Sequence, residues 1–566
     1  MTVGAGERVP VLGASLRRIV AAAALAACAL AQAQQPPQPR AADSPTFEIR
    51  RYLFDGATLV PLEKLEADTR EFTGPRRVFG DVQKALEAVE RAYADAGWSA
   101  VQVVLPEQEL TRGEIRFQVI EARVARVLVE GNKAFDEANV RASVPSLAPG
   151  KAPNVNEISR NLRVVNESPA KQTQVLLRSG QEEGSVDAVL RTVDEMPLKY
   201  SVTADNSGSA QTGRVRVGLG MQNANLSGYD DVLSAQYVTA PYADHLDENG
   251  QPDRFSLLPS RKVTILGVGY RLPLYEQGNS LEFLAGYSNV NSGTVANVFS
   301  ITGAGTVMGA KYNINLNKVG DYEHRVAMTA DWRSYDNKGV RVAGTATQVI
   351  PDVTVHPLGV TYLGTLRKQD GETSISLGFF KNFSEGNDGT TEDFCKPLLR
   401  NNGLGQCASA TYNVWKWSFS HTHAMPADFQ LRFAANGQWT RDMLVPGEQF
   451  GIGGADSVRG FLEREIADDK GYRVTAELYS PDFGGKTGIS GARTRGLIFF
   501  DSGHVSRNHP APAETFSQGI ASYGVGMRFA QSARMALRLD FAMVGDSDAT
   551  HPRSSTRLHA SFSYVF

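Results

Sequence analysis

Hydrophobic and polar residues alternate with a period of two through most of the chain. At the C-terminus, Leu558, Ala560, Phe562, Tyr564 and Phe566 fall on one face, and Arg557, His559, Ser561 and Ser563 on the other. The preceding segment repeats the pattern, with Met535, Leu537, Leu539, Phe541 and Met543 opposite Arg534, Arg538 and Asp540. A period of two is that of a strand. Large apolar groups on one side and charges on the other, strand after strand, describe a sheet between lipid and water. A closed transmembrane β-barrel needs such a sheet; a soluble sandwich, whose strands also alternate, is the competing architecture. From Leu198 onward the pattern predicts strands near 198–206, 212–222, 231–241, 261–273, 279–291, 303–316, 323–336, 353–366, 372–384, 409–421, 428–440, 470–481, 493–503, 519–530, 533–544 and 556–566. That is about sixteen antiparallel strands, an even number within the range of single-chain bacterial barrels. Polar inserts at 242–259, 385–409 and 445–469 predict extracellular loops.

Before Leu198 the periodicity changes. Thr46–Phe54 reads as a strand. In Asp81–Ala96, Val82, Ala85, Leu86, Val89 and Tyr93 recur at three- and four-residue steps and predict a helix. Strands follow at Ala100–Leu105 and Glu114–Glu121. A second set comes next: a strand at Ala125–Glu130, helices at Asp136–Val144 and Val155–Val165, and strands at Thr173–Ser179 and Ser185–Glu195. A β-α-α-β-β order twice in about 150 residues is an internal repeat. The predicted boundaries are two α/β modules at 46–122 and 123–196 and a barrel at 197–566.

Composition narrows the class further. The chain has 566 residues and a net charge of −3, so no basic field points to nucleic acid. The apolar run Ile19–Ala31 is shorter than the roughly 20 residues of a membrane helix. Arg17 and Arg18 precede it and Ala31-Gln32-Ala33 ends it, which predicts a secretory signal over 1–33. Alternatively, Leu25-Ala26-Ala27-Cys28 is a lipoprotein cleavage box with Cys28 acylated. Residues 34–45 are Pro-rich and predict an extended linker. Cys395 and Cys407 then remain, and an even pair in an exported protein predicts a disulfide.

The sharpest motif lies in the insert at 445–469. Val458-Arg459-Gly460-Phe461 resembles the VRG(F/Y) signature of barrels that carry POTRA (polypeptide-transport-associated) domains, and Phe499-Phe500-Asp501-Ser502-Gly503 resembles their F-x-D-x-G strand motif. With two modules before about sixteen strands, the chain resembles the two-partner secretion transporters of the haemolysin-activator type, relatives of the filamentous-haemagglutinin transporter. The stretch from Tyr93 to Asn132 also resembles their first POTRA domain and its junction with the second. The resemblance covers nearly all of the mature chain and implies an outer-membrane barrel behind two periplasmic POTRA domains. It implies that the loop 445–469 folds back into the lumen, and that Asp501 on the lumen wall is the partner of Arg459. A planar guanidinium with five donors suits a carboxylate. Gly460 would let the loop turn tightly, and Phe461 could pack against the wall or against Phe499. Strand parity places Leu497, Phe499, Asp501 and Gly503 inside, a local departure from apolar-out order where a loop docks.

The function implied is translocation of a large unfolded exoprotein across the outer membrane without ATP. Gly451–Gly454 lacks the Lys-Ser/Thr of a phosphate loop. The implied partners are that exoprotein, outer-membrane lipids, and the periplasmic chaperones and barrel-assembly machinery that read the aromatic C-terminus Phe562, Tyr564 and Phe566. A barrel-assembly insertase of the same superfamily and a passive porin are the alternatives. The insertase usually carries three or more POTRA domains, and the porin needs neither modules nor an anchored loop. Some relatives carry an N-terminal helix that plugs the barrel; Pro39 and Pro45 oppose one here. His421 and His423 share a strand face but lack a third metal ligand, so they read as lumen side chains. Tyr412, Trp415 and Trp417 read as an interfacial aromatic belt. No cofactor, metal or catalytic constellation stands out, and no enzyme activity is expected.

Overall fold

The apolar stripe predicted over 81–96 is what organises the first module. In the computed structural model, β1 (Phe47–Ile49), β2 (Arg51–Asp55), α1 (Leu62–Thr69), β3 (Gly74–Arg77), α2 (Phe79–Asp95), β4 (Val101–Val104) and β5 (Glu114–Glu121) follow in order. Val82, Ala85, Val89 and Tyr93 of α2 are buried together with Leu65, Ile49, Tyr52 and Phe117. The rings of Tyr52 and Phe117 stack at 5.3 Å. β2 runs parallel to β5, which pairs antiparallel with β4. The helix starts where Asp81 accepts a hydrogen bond from the Val78 N–H at 3.1 Å, satisfying one of the free donors of its first turn. The structure describes residues 45–109, 112–208, 213–241, 263–289, 293–295, 299–301, 304–335, 352–396, 406–512 and 514–566. The signal peptide at 1–33, Cys28, residues 34–44 of the linker, the expectation of no plug helix before Phe47 and the insert at 242–259 therefore lie outside the described residues.

The second module repeats this sheet. β6 (Arg123–Glu130), α3 (Glu137–Ala142), α4 (Val155–Val165), β7 (Lys171–Ser179) and β8 (Ser185–Asp194) follow in order. β6 is parallel to β8, and β8 antiparallel to β7.

The barrel begins with β9 (Leu198–Asp205), β10 (Arg216–Asn223), β11 (Val232–Thr239), β12 (Thr264–Leu274) and β13 (Asn279–Ser288). A short hairpin, β14 (Gly293–Val295) and β15 (Phe299–Ile301), stands outside the ring. β16 (Gly305–Asn315), β17 (Tyr322–Tyr335), β18 (Val353–Val355), β19 (Pro357–Lys368), β20 (Gly371–Asn382), β21 (Asn413–Ala424) and β22 (Gln430–Trp439) continue it. The inserted loop carries its own hairpin, β23 (Phe450–Ile452) and β24 (Ile466–Asp468). β25 (Lys470–Tyr479), β26 (Ala492–Ser506), β27 (Ser517–Gln531), β28 (Met535–Ser547) and β29 (Thr556–Val565) complete the ring, and β29 pairs with β9 to close it. Because β18 and β19 are two pieces paired to the same strand β17, the closed antiparallel ring has 16 strands.

Side-chain parity follows the sequence pattern. Leu558 and Phe562 on β29, Phe541 on β28, Ile498 and Phe500 on β26, and Trp415 and Trp417 on β21 face outward and are exposed. Two readings need correction. Tyr412 is not in the outer belt; it is buried with Phe394, Ala408, Ala410, Leu444 and Val445, because the chain there is still loop packing over the root of the next loop. Trp439, directly across from Trp415, takes its place on the outer face. His421 and His423 share parity with Trp415 and Trp417, so they lie on the outer face beside the short turn at 369–370, not in the lumen. Their rings stack at 6.0 Å, and His421 Nδ1 lies 2.8 Å from Thr373 Oγ1.

The short turns of the barrel pack on the second module. Lys171 Nζ lies 2.6 Å from Asp230 Oδ2 in the turn after β10. Glu167 pairs with Arg271 at 2.6 Å and with Arg325 at 3.1 Å. Arg163 donates to the Leu316 carbonyl at 2.8 Å. These turns are thus on the module's side, and the long loops are on the other.

Candidate functional site: an arginine docked on the lumen wall

The site is made by the loop between β22 and β25 and the inward faces of the strands after it. The β23–β24 hairpin carries the loop tip into the lumen, where Arg459 meets side chains from three strands. Its Nε lies 2.6 Å from Asp501 Oδ2 and its Nη2 2.8 Å from Asp501 Oδ1, a bidentate pair. Its Nη1 reaches Glu477 Oε1 on β25 at 2.8 Å and Asp540 Oδ1 on β28 at 3.3 Å. The Arg459 N–H also donates to Asp501 Oδ2, at 3.2 Å. The guanidinium carbon sits 3.5 Å from the centroid of the Phe499 ring, so the cation is stacked as well as paired. Arg459 is 2% exposed, and Asp501 and Asp540 are 0% exposed. A buried charge needs such a complete set of partners, since desolvation alone would expel it.

The acids are themselves held. Glu477 Oε2 accepts from Arg432 Nη1 at 2.8 Å and from the Tyr479 hydroxyl at 2.9 Å. Asp540 accepts from Arg538 Nε at 2.7 Å and pairs with Arg528 at 2.9 Å. Arg538 turns its other nitrogens to the loop, pairing with Asp456 and donating to the Ala455 carbonyl. The network therefore grips the tip at Ala455 and Asp456 as well as at Arg459.

The neighbours of Arg459 explain the rest of the two motifs. Gly460 has φ +96°, a conformation side chains rarely adopt, and its N–H donates to His559 Nε2 on β29 at 2.9 Å. That bond requires His559 Nε2 to be unprotonated. Phe461 packs with Val458, Ile452 and Ile466 of the loop against Val505, Ile520 and Val544 of the wall. Of its two open partners it takes the wall, while Phe499 carries the guanidinium. Gly503 leaves room for the loop: a Cβ there would lie 2.9 Å from Ile452 Cδ1 and 3.2 Å from Val458 Cγ2. Glu477, Asp540 and His559 were not singled out from the sequence as members of the site. Their signal was present as ionisable residues on the inward parity of neighbouring strands.

Elsewhere, Cys395 and Cys407 are joined with Cα atoms 5.1 Å apart, in the long loop before β21. At the C-terminus, Phe562 and Phe566 are exposed, the Tyr564 and Phe566 rings meet edge-on at 5.0 Å, and the Phe566 N–H donates to Tyr200 O at 2.9 Å.

Residues 184–529 match the family described as haemolysin secretion/activation protein ShlB/FhaC/HecB, and residues 47–122 match the POTRA domain of ShlB type. The heme/hemopexin transporter protein HuxB of Haemophilus influenzae (strain 86-028NP) is 21% identical over 498 residues, covering 86% of this chain and 82% of that protein. The outer membrane transporter CdiB of Dickeya dadantii (strain 3937) is 23% identical over 454 residues, covering 77% and 73%. Among solved structures, CdiB from Escherichia coli has a TM-score of 0.72 at 17% identity, covering 94% of this chain and 93% of that one. CdiB from Acinetobacter baumannii has a TM-score of 0.66 at 15% identity, with 98% of each chain covered. The chain belongs to the haemolysin secretion/activation protein family. It is an outer-membrane transporter of two-partner secretion, with its POTRA domain in the periplasm and a secreted protein as its partner.

Proposed function

We propose that this member of the haemolysin secretion/activation family exports a large adhesin, haemolysin or related exoprotein as an unfolded chain through the barrel lumen, without ATP. Residues 46–122 and 123–196 act as two POTRA domains that receive the exoprotein in the periplasm. An extended segment adding to a sheet edge gains backbone hydrogen bonds with little demand on sequence. The signal at 1–33 directs export of the transporter itself. Periplasmic chaperones and the barrel-assembly machinery deliver it to the outer-membrane lipids through its aromatic C-terminus. In the resting state the loop at 445–469 occupies the path, and Arg459 with Asp501 holds it there.

The observation that carries this reading is the complete burial of Arg459 among Asp501, Glu477 and Asp540. A passive porin has no use for a lumen loop pinned by a desolvated ion network. The test is secretion of the cognate exoprotein by cells carrying Arg459→Ala, Asp501→Ala, or the swap Arg459→Asp with Asp501→Arg, with barrel levels checked in the outer membrane. Loss of export from the single variants with the barrel still inserted is expected, with partial recovery in the swap. Normal export from both single variants would reduce the pair to incidental charges.

A further inference from the structure

The lumen loop is fastened a second time, at its root and on the opposite wall. Glu448 lies just before β23 and is 6% exposed. Its Oε1 and Oε2 accept from Arg333 Nη1 at 2.9 and 3.1 Å, and Oε1 accepts from the Tyr335 hydroxyl at 2.5 Å. Arg333 and Tyr335 lie at the end of β17 farthest from the second module, on the inward parity opposite exposed Trp332. Arg333 is steadied by Asp331 at 2.5 Å. The backbone joins in: Gln438 Nε2 donates to the carbonyls of Glu448 and Asp469, each at 2.9 Å, tying the two legs of the loop to one side chain. Gly447 is closely fitted to this contact, since a Cβ there would lie 2.4 Å from the Tyr335 ring.

The position of this second contact gives it meaning. Counted around the ring from β9, β17 is the seventh strand and β28 the fifteenth, so the two lie eight strands apart in a ring of 16. Arg333 on one wall holds Glu448, and Asp540 on the facing wall, with Asp501 on β26, holds Arg459. The loop is thus a strut across the lumen, tied at both ends by buried ion pairs. Freeing the tip alone leaves a loop still held at its root, and freeing the root alone leaves the tip docked.

We propose that Glu448, with Arg333, Tyr335 and Gly447, is the root anchor of the lumen loop, a set of positioning residues that must release together with Arg459 for the loop to clear the lumen. The inference rests on the reading of the loop as the resting occupant of the path. Removing one partner of a buried pair strands the other charge, so near-isosteric variants suffice.

The test is single-channel recording of the purified full chain in planar bilayers, beside export from cells. The variants are Glu448→Gln with Tyr335→Phe, Gly447→Ala, Arg459→Ala, and the root and tip variants combined. Folded barrel is confirmed for each by its heat-modifiable migration on gels. The root variants are expected to lengthen open events by about a hundredfold or more, as breaking a buried charge pair implies. The combined variant is expected to exceed the product of the two separate effects. Gly447→Ala leaves every charge in place and is expected to act like the charge variants, by displacing the Tyr335 ring. Wild-type gating in both root variants, while Arg459→Ala alters it, would overturn the proposal, as would a combined variant no different from Arg459→Ala alone. Altered gating with undiminished export would support the anchor and instead count against loop displacement as the step that limits export.

Discussion

At the scale of single residues, the site asks for an arginine and not merely for a cation. Three nitrogens of Arg459 address three acids at once: Nε and Nη2 take Asp501, and Nη1 is shared by Glu477 and Asp540. A lysine ammonium is one nitrogen on a flexible stem and lacks the planar face that stacks on Phe499. Arg459→Lys, which keeps the charge, is therefore expected to lose export nearly as fully as Arg459→Ala when secreted exoprotein is quantified per inserted barrel. Export close to wild type would show that charge alone holds the tip. The sequence carried Arg459 and Asp501 as members of two motifs, because each lies inside a short contiguous signature. It did not announce Glu477, Asp540 or His559. Each is one inward residue on a different strand, and which of many inward charges meet one guanidinium is fixed by stagger and loop length rather than by local pattern. Glu448 and Arg333 were illegible for the same reason, being 115 residues apart.

At the scale of the element, a strand is read by its parity, and β26 shows how far that carries. Ile498 and Phe500 face out while Leu497, Phe499 and Asp501 face in, so two adjacent phenylalanines have opposite surroundings, Phe499 at 5% exposure and Phe500 at 50%. Phe500→Arg, near the middle of Ala492–Ser506, should cost ~2–4 kcal/mol of barrel stability. Ser376→Arg, on the inward parity of β20, should cost far less. Equilibrium folding into lipid vesicles across a denaturant series measures both, and equal penalties would mean that Phe500 is not at the lipid face. The positions of all 16 strands were legible because alternation repeats in most of them. The failures came at strand ends. Tyr412 lies just before Asn413, the first residue of β21, and belongs to the loop core, and His421 and His423 keep the outward parity of Trp415 although they are polar. Polar character near the module-side rim no longer tells inside from outside, because water or headgroups replace hydrocarbon there.

At the scale of the molecule, the barrel must be joined to the module that precedes it, and that joint is built around a charge sealed from water. Lys171 on β7 has a side chain with 0% exposure, and Asp230 faces it from the turn between β10 and β11 with 2%. The Tyr275 hydroxyl donates to the same Asp230 oxygen from the next turn, Asn139 Oδ1 accepts from the ammonium at 2.8 Å, and the Phe135 ring lies 5.0 Å away. Burial pushes the Lys171 pKa below its ordinary 10.5, and the attraction of Asp230 works against that. Two turns of the barrel thus meet β7, α3 and the loop before α3 at one buried ion pair, which ties the module's register to the barrel in a way an apolar contact would not. Lys171→Met is expected to destabilise the joint by ~3–5 kcal/mol, because it leaves Asp230 buried without its cation. Adding Asp230→Asn, which tolerates the φ of +60° at that position, should recover much of the loss by removing the stranded charge. Amide hydrogen exchange across 171–179 and 224–231 of the full chain reports the joint directly. Faster exchange in the single variant, slowed again in the double, is the expected pattern. A double variant no better protected than the single would mean that the pairing is spectator to a joint held by Glu167 with Arg271 and Arg325.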